Sequence, residues 1–304
     1  MIRYNAAHWD WLVYLEMFVA GVAAGAYATA TLLELFGRGR SPLARVAQLI
    51  PFPLMVLAGL LLTVDLARPE RFWHMILQSE TLRPMLKPWS PMSVGSWLVL
   101  LFPVFAFVSF VDALIGRGVF ALGGWNQRQT LHGTLTGLLW AVVGSLLALA
   151  VASYSGVLLS TTNFGGWSDS PFIGALYVAT AAVTGLGAVL LIGALTRQAD
   201  AEDVVGLLRV GTGLICWQAL VLAVFLLTLG LNGWAVFLSG ISLLALLGAI
   251  VIGIVIPLVV RLAGRSLQPG TTALFAVLVL VGGFLLRYAI VIAPQASARI
   301  PGAS

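Results

Sequence analysis

Long apolar runs dominate this chain, and its polar residues gather between them instead of alternating with them. Eight runs are long enough to cross about 30 Å of hydrocarbon as helix, at about 1.5 Å per residue. They fall at 11–36, 43–65, 94–115, 133–155, 171–196, 205–231, 234–261 and 271–293. The pattern predicts an all-α integral membrane protein of about eight transmembrane helices. We expect two four-helix bundles within one polytopic domain over 1–304. Small residues recur in GVAAGAYATAT at 21–31 and GLGAVLLIGAL at 185–195, which lets helices approach closely in lipid. Neither an internal repeat nor a matched pair of broken helices of the transporter kind is evident.

Composition agrees with the pattern: 60% of residues are hydrophobic and 9% charged, with a mean hydropathy of +1.03. These values lie far outside the range of soluble domains. Membrane lipid is therefore the surrounding medium. The 16 Lys and Arg are scattered over the connections, without the clustering of a nucleic-acid surface, so no nucleic-acid partner is expected. Cys216 is the single cysteine and lies in an apolar run, where it reads as a small core hydrophobe. One thiol cannot hold an iron–sulfur cluster that needs four ligands. Of the three histidines, His8 precedes the first helix and His74 lies in a loop. No pair of axial ligands faces across helices, so neither haem nor cluster is expected in this chain. The N-terminus lacks a basic region followed by a short apolar run and a cleavage site, and no cleaved signal peptide is expected.

Basic residues between helices also set the orientation, because Lys and Arg accumulate on the cytoplasmic side. One side carries Arg38, Arg40, Arg45, Arg117, Arg128, Arg197, Arg209, Arg261 and Arg265; the other carries Arg3, Arg68, Arg71, Arg83, Lys87 and Arg299. The bias places both termini on the outer, periplasmic side of a bacterial or archaeal cytoplasmic membrane. Four of the minority charges share the loop 66–93, which suggests that they serve that loop instead of topology.

Five ionisable side chains fall within the apolar runs: Glu16, Glu34, Asp65, Asp112 and Arg287. A charge at the centre of a span costs at least about 2.5–3.5 kcal/mol, so such groups face a partner, a cavity or a water path. Threading the helices alternately through the membrane puts Glu16, Asp65, Tyr154, Arg287 and the loop 66–93 at the outer face. Arg287 is expected to pair with Glu16 or Asp65, since an unpaired buried charge is costly. Trp9, Trp11, Trp73, Trp89, Trp97 and Trp167 read as interfacial belt residues. Hydrogen-bond donors and proton-exchanging groups at the edge of hydrocarbon suit a quinone headgroup. Its carbonyls need donors such as Tyr154 or His74, and a carboxylate must carry protons to or from water. Electrons must then leave through a redox partner, because this chain holds no metal ligands of its own. A secondary transporter or proton channel could use the same charges, and a structural anchor without quinone is a further alternative.

A second polar set, Glu34, Asp112 and His132, lies toward the cytoplasmic ends. Thr29, Thr31, Ser109 and Thr136 could lead inward from it as a proton path. Solvated helix ends are the simpler account.

The chain resembles the NrfD/polysulfide reductase membrane-subunit family. The likeness lies in DLARPERFWHM at 65–75, KPWSPMSVGSW at 87–97, YSGVLLSTTN at 154–163 and GGFLLRYAIVIAPQ at 282–295. That resemblance implies about eight helices, no haem, and bound menaquinone or ubiquinone. It further implies a four-cluster ferredoxin-like iron–sulfur subunit on the outer face, and beyond it a molybdopterin or tungstopterin catalytic subunit. Carried over by residue, it makes Tyr154 a hydrogen-bond partner of the quinone. Glu16 stands where some members have a histidine, which favours a proton-accepting role. Asp65, Arg68 and His74 would line or roof the site, Arg287 would supply its charge partner, and Arg83, Lys87 and Trp89 would sit in the docking loop.

Overall fold

The computed structural model describes residues 9–119, 131–162, 164–238, 240–262 and 269–297. Arg3, His8, Arg128, Asn163, Arg265 and Arg299 lie outside these residues. Among the described residues, eight spans are long and apolar enough to cross a membrane, and no strand is formed.

The first span is α1, Trp11–Leu35. The second is broken into α2, Pro42–Leu49, and α3, Pro51–Asp65. The sequence predicts one helix here, but Pro51 and Pro53 lack the amide protons that would continue the ladder. The third and fourth spans are α4, Pro91–Gly116, and α5, Leu135–Ser160. The fifth and sixth are α6, Ile173–Leu195, and α7, Ala201–Thr228. Helix starts follow capping chemistry: the hydroxyls of Ser41, Ser90 and Thr134 accept from the amides of Ala44, Ser93 and Gly137, satisfying donors that the helix cannot.

Where one helix was expected over 234–261, the chain forms α8, Gly230–Phe237, then α9, Gly240–Ile250, a π-helical turn over Val251–Val255, and α10, Ile256–Leu262. Gly230, at φ +68°, permits the turn into α8. The widened turn brings Gly253 against Gly282, where a Cβ would lie 2.8 Å from the facing Cα. The last helix, α11, spans Pro269–Ser297.

Helices α1 and α6 are the most buried spans. Helix α1 packs on α3, α5 and α6, while α6 packs also on α5, α7 and α11, and α11 on α9. Glycine makes the central crossing possible: a Cβ on Gly25 would fall 1.8 Å from the Ala181 carbonyl oxygen, so the two backbones touch directly, as small residues allow in lipid.

Two polar ties cross the fold at opposite ends. At the end where α1 begins, the Trp9 amide donates to Gln295 Oε1 at 3.0 Å, and Gln295 Nε2 donates to the Trp9 carbonyl at 3.3 Å. At the opposite end Arg38 pairs with Glu202 at 2.7 Å and with buried Asp203, fastening the end of α1 to the start of α7. Trp167 departs from the belt expectation: it is fully buried, packs on Trp9 and donates from Nε1 to the Ile290 carbonyl at 2.7 Å. A carbonyl near the end of α11 satisfies the indole there, so the ring needs no water. Trp89, by contrast, is 81% exposed, as an outward-facing loop residue should be.

Candidate functional site

Helices α1, α5, α6 and α11 bring polar side chains together at the end where α1 begins. Glu16, one turn into α1, is buried at 7% exposure. Its carboxylate interacts electrostatically with Arg287 and Asp65, and it acts on Tyr154 and Tyr177 as well. One carboxylate is thus the common neighbour of residues from four other positions in the sequence.

Arg287 is 2% exposed and lies well inside α11, ten residues before Ser297. Its closest partner is Tyr177 of α6, where a carboxylate was expected. Arg287 Nη2 donates to the Tyr177 carbonyl at 3.0 Å, and the guanidinium carbon stands 3.6 Å from the Tyr177 ring centroid. The π-face and a spare carbonyl hold the cation without full neutralisation. Glycine at position 21 makes room, since a Cβ there would come within 3.0 Å of Nη2. The Tyr177 hydroxyl is spent on Met17 Sδ at 3.7 Å.

Tyr154 lies six residues before the end of α5 at Ser160, deeper than its expected place at the helix end. It is half-buried, and its ring covers Gly95 of α4, where a Cβ would fall 1.9 Å from Cε2. Glycine at 95 therefore sets the ring's position. Asp65 closes α3 and is exposed, with Asp10 as its electrostatic neighbour.

The connecting loop contributes differently. Pro69–Met75 form a 3₁₀ helix, and a single antiparallel bridge joins Leu77 to Pro84. Trp97 Nε1 donates to the Met85 carbonyl at 3.0 Å and pins the loop to α4. His74 Nδ1 meets Ser79 Oγ at 3.0 Å beneath Trp73, so its imidazole is engaged within the loop. Arg68, Arg83, Lys87 and Trp89 are exposed. Asp65, Tyr154 and Arg287 each lie within electrostatic reach of Glu16, whereas Arg68 and His74 have no described contact with them.

Among the described residues, Arg287 Nη1 is buried without a hydrogen-bond partner. Buried polar groups are nearly always bonded, and exceptions mark a strained or functional position. A neutral, two-carbonyl ring offers acceptors to a phenol and a guanidinium and a protonation site to a carboxylate, so the residues present fit a quinone headgroup chemically.

The cluster at the opposite end is buried, which corrects the reading of solvated helix ends: Glu34 is 7%, Asp112 4% and His132 2% exposed. The carboxylates hold the turn before α5. Glu34 Oε1 accepts from the Gly133 amide at 2.5 Å and its other oxygen lies 3.3 Å from His132 Nδ1. Asp112 accepts from the amides of Leu131 and His132 at 3.0 and 3.1 Å, and Arg40 Nε donates to the His132 carbonyl at 2.7 Å. Of the hydroxyls expected to lead inward, Thr29 bonds to the Gly25 carbonyl of its own helix and Thr136 is exposed. Ser109 meets Tyr27, and Thr31 joins Ser145 to the Ala141 carbonyl. Asp112→Ala should cost about 1–3 kcal/mol for each amide it leaves unpaired in a dry turn, seen as a lower melting temperature in detergent.

Reasoning from sequence did not find Tyr177, Tyr27 or Asp203. Tyr177, one turn into a span that starts at the same end as α1, shares Glu16's depth, and that alignment was the available signal. Asp203 follows Glu202 in a polar helix start that gives no sign of burial.

Fold and cluster together define a multi-pass inner-membrane protein that buries a group of ionisable side chains between its helices at one end. The chain belongs to the family described as polysulphide reductase, NrfD, which matches residues 2–298. It is similar to the C chain of polysulfide reductase from Wolinella succinogenes, at 28% identity over 96% of both proteins. It is also similar to protein NrfD of Escherichia coli K12, at 26% identity over 64% of this chain and 62% of that one. A third relative, named as a membrane subunit of dimethyl sulfoxide reductase, comes from Halobacterium salinarum, at 26% identity over 62% of this chain and 44% of the relative.

Proposed function

We propose that this chain is the quinone-interacting membrane subunit of a respiratory reductase complex, and that it exchanges electrons between the quinone pool and an extracytoplasmic iron–sulfur subunit. Two relatives named as parts of reductases, one of them as a membrane subunit, support membership of such a complex. One observation carries the quinone assignment: the buried Glu16 carboxylate is the electrostatic neighbour of both Tyr154 and Arg287, and Arg287 Nη1 is buried without a hydrogen-bond partner among the described residues.

In this reading Tyr154 donates to one quinone oxygen, Arg287 keeps the pocket electropositive, and Glu16 exchanges protons as two electrons convert quinone to quinol or the reverse. Asp65, exposed at the end of α3, carries those protons to water. The electrons come from or go to a ferredoxin-like subunit of four clusters seated on the loop bearing Arg83, Lys87 and Trp89, with Arg68 and His74 shaping that surface. The complex also holds a molybdopterin or tungstopterin subunit, and the termini of this chain face the same outer side. Glu34 and Asp112 take a structural part, since their carboxylates accept from the backbone amides of the turn before α5, His132's among them. A transporter reading finds less support, because the relatives named are parts of reductases.

Fluorescence quenching of a quinol analogue by the purified protein tests the assignment. Saturable quenching is expected, and Tyr154→Phe should weaken it by about 2- to 13-fold, the worth of one hydrogen bond of about 0.5–1.5 kcal/mol. Absence of saturable quenching in the wild type would leave only a structural anchor.

A further inference from the structure

A cavity of about 510 Å³ opens between α1, the α2 and α3 span, α6 and α11, away from the Glu16 cluster. Phe18, Val22, Leu49, Leu54 and Leu191 are among its apolar walls, and Thr196 and Arg117 mark its inner end. Its volume lies within the range of about 300–1,000 Å³ common for ligand clefts. At about 100° per residue, Phe18 and Val22 stand about 200° and 240° around α1 from Glu16, on the opposite face of that helix.

The inner end carries a pair of like charges. Arg45 reaches the carbonyl of Gly116, the residue before Arg117, which puts both arginines at this end of the cavity. Arg117 donates to Gln198 Oε1 at 2.7 Å, and Arg45 donates to the carbonyls of Gly116 and Arg40 at 3.3 Å. All their described partners are neutral, and among the described residues neither meets a carboxylate. Both side chains keep donors free, because a guanidinium carries five.

We propose that this cavity is a binding site for an anionic phospholipid of the inner leaflet, with the phosphate against Arg117 and Arg45 and an acyl chain along the apolar walls. Guanidinium groups match phosphate oxygens in bidentate fashion, and basic pockets between transmembrane helices on the cytoplasmic side recognise anionic headgroups. An acyl chain meets no polar wall above the arginines. A quinone would bring a neutral ring to a doubly cationic end and leave that charge uncompensated.

The test uses the full-length protein, purified in detergent, delipidated and given back either phosphatidylglycerol or phosphatidylcholine with identical acyl chains. Retained lipid is counted by native mass spectrometry. Phosphatidylglycerol should be retained preferentially, with about fivefold of that preference lost in Arg117→Gln, the worth of about 1 kcal/mol per arginine near an anionic headgroup. Ile192→Trp, at a wall position already 38% exposed, should block retention of both lipids while the protein keeps its elution profile. Equal retention of the two lipids by the wild type overturns the proposal even if neither variant folds. Undiminished phosphatidylglycerol on both folded variants overturns it too, as does displacement of bound phosphatidylglycerol by a quinone analogue. Each arm is independent of whether the Glu16 cluster binds quinone.

Discussion

Replacing Glu16 with glutamine is expected to slow electron exchange between the quinone pool and the assembled complex by about 10²- to 10⁴-fold, the usual worth of one positioned proton-transfer group. Glutamine keeps the volume and the hydrogen-bonding capacity of the side chain but cannot take up a proton. Quinone-analogue binding should therefore survive while turnover falls, which separates proton exchange from positioning. The surroundings justify the size of the effect. Glu16 is the carboxylate that Arg287, Asp65, Tyr154 and Tyr177 share, and it is buried where Asp65 is exposed, so water cannot replace it directly. Turnover can be followed as quinol-dependent reduction in membrane vesicles, with thermal melting as the check on folding. Full turnover in this variant would remove Glu16 from the chemistry.

Gly25→Leu is expected to be the most damaging packing change, costing about 3 kcal/mol or more, at the upper end of what overpacking does. A side chain there meets backbone: the first carbon already falls 1.8 Å from the Ala181 carbonyl oxygen, and Gly185 Cα is 3.0 Å away. Neither can swing aside in the way that the end of a flexible side chain does. Separation of α1 from α6 would also carry Glu16 away from Tyr177 and Arg287. Gly59→Leu provides the contrast, because nothing lies within 4 Å of a Cβ at that position in α3. Size-exclusion profiles and melting curves in detergent should show loss of the folded species for the first and little change for the second.

The number of spans and their approximate limits were legible because hydrocarbon imposes length and composition on any helix that crosses it. Breaks within spans were harder to see. Pro51 and Pro53 are visible signals for the division of the second span, but a membrane helix often tolerates proline, and the π-helical turn at Val251–Val255 lies in a uniformly apolar run that carries no mark of it. The outer cluster followed from depth alone, since alternating direction fixes which ends meet. Depth does not fix azimuth, and that is why Arg287 was assigned to a carboxylate when the tyrosine ring on α6 was the closer surface. His74 illustrates the same limit: a loop residue at the right height can spend its ring nitrogen on a neighbour five residues on. For Glu34 and Asp112, a position near a span's end suggested water, whereas the turn before α5 folds back over them.

The wide turn at Val251–Val255 gives the seventh span a place that tolerates a change of length. A π-helical turn holds one residue more than the regular spiral would, so removing a single residue there would restore ordinary winding without breaking the segment. The segment beyond would then keep its azimuth, leaving Arg261 on its present face while α9 stays seated on α11. Evolutionary insertions and deletions inside a transmembrane segment should accordingly concentrate at this point, where the helix can take up or release a residue and still reach both surfaces of the bilayer.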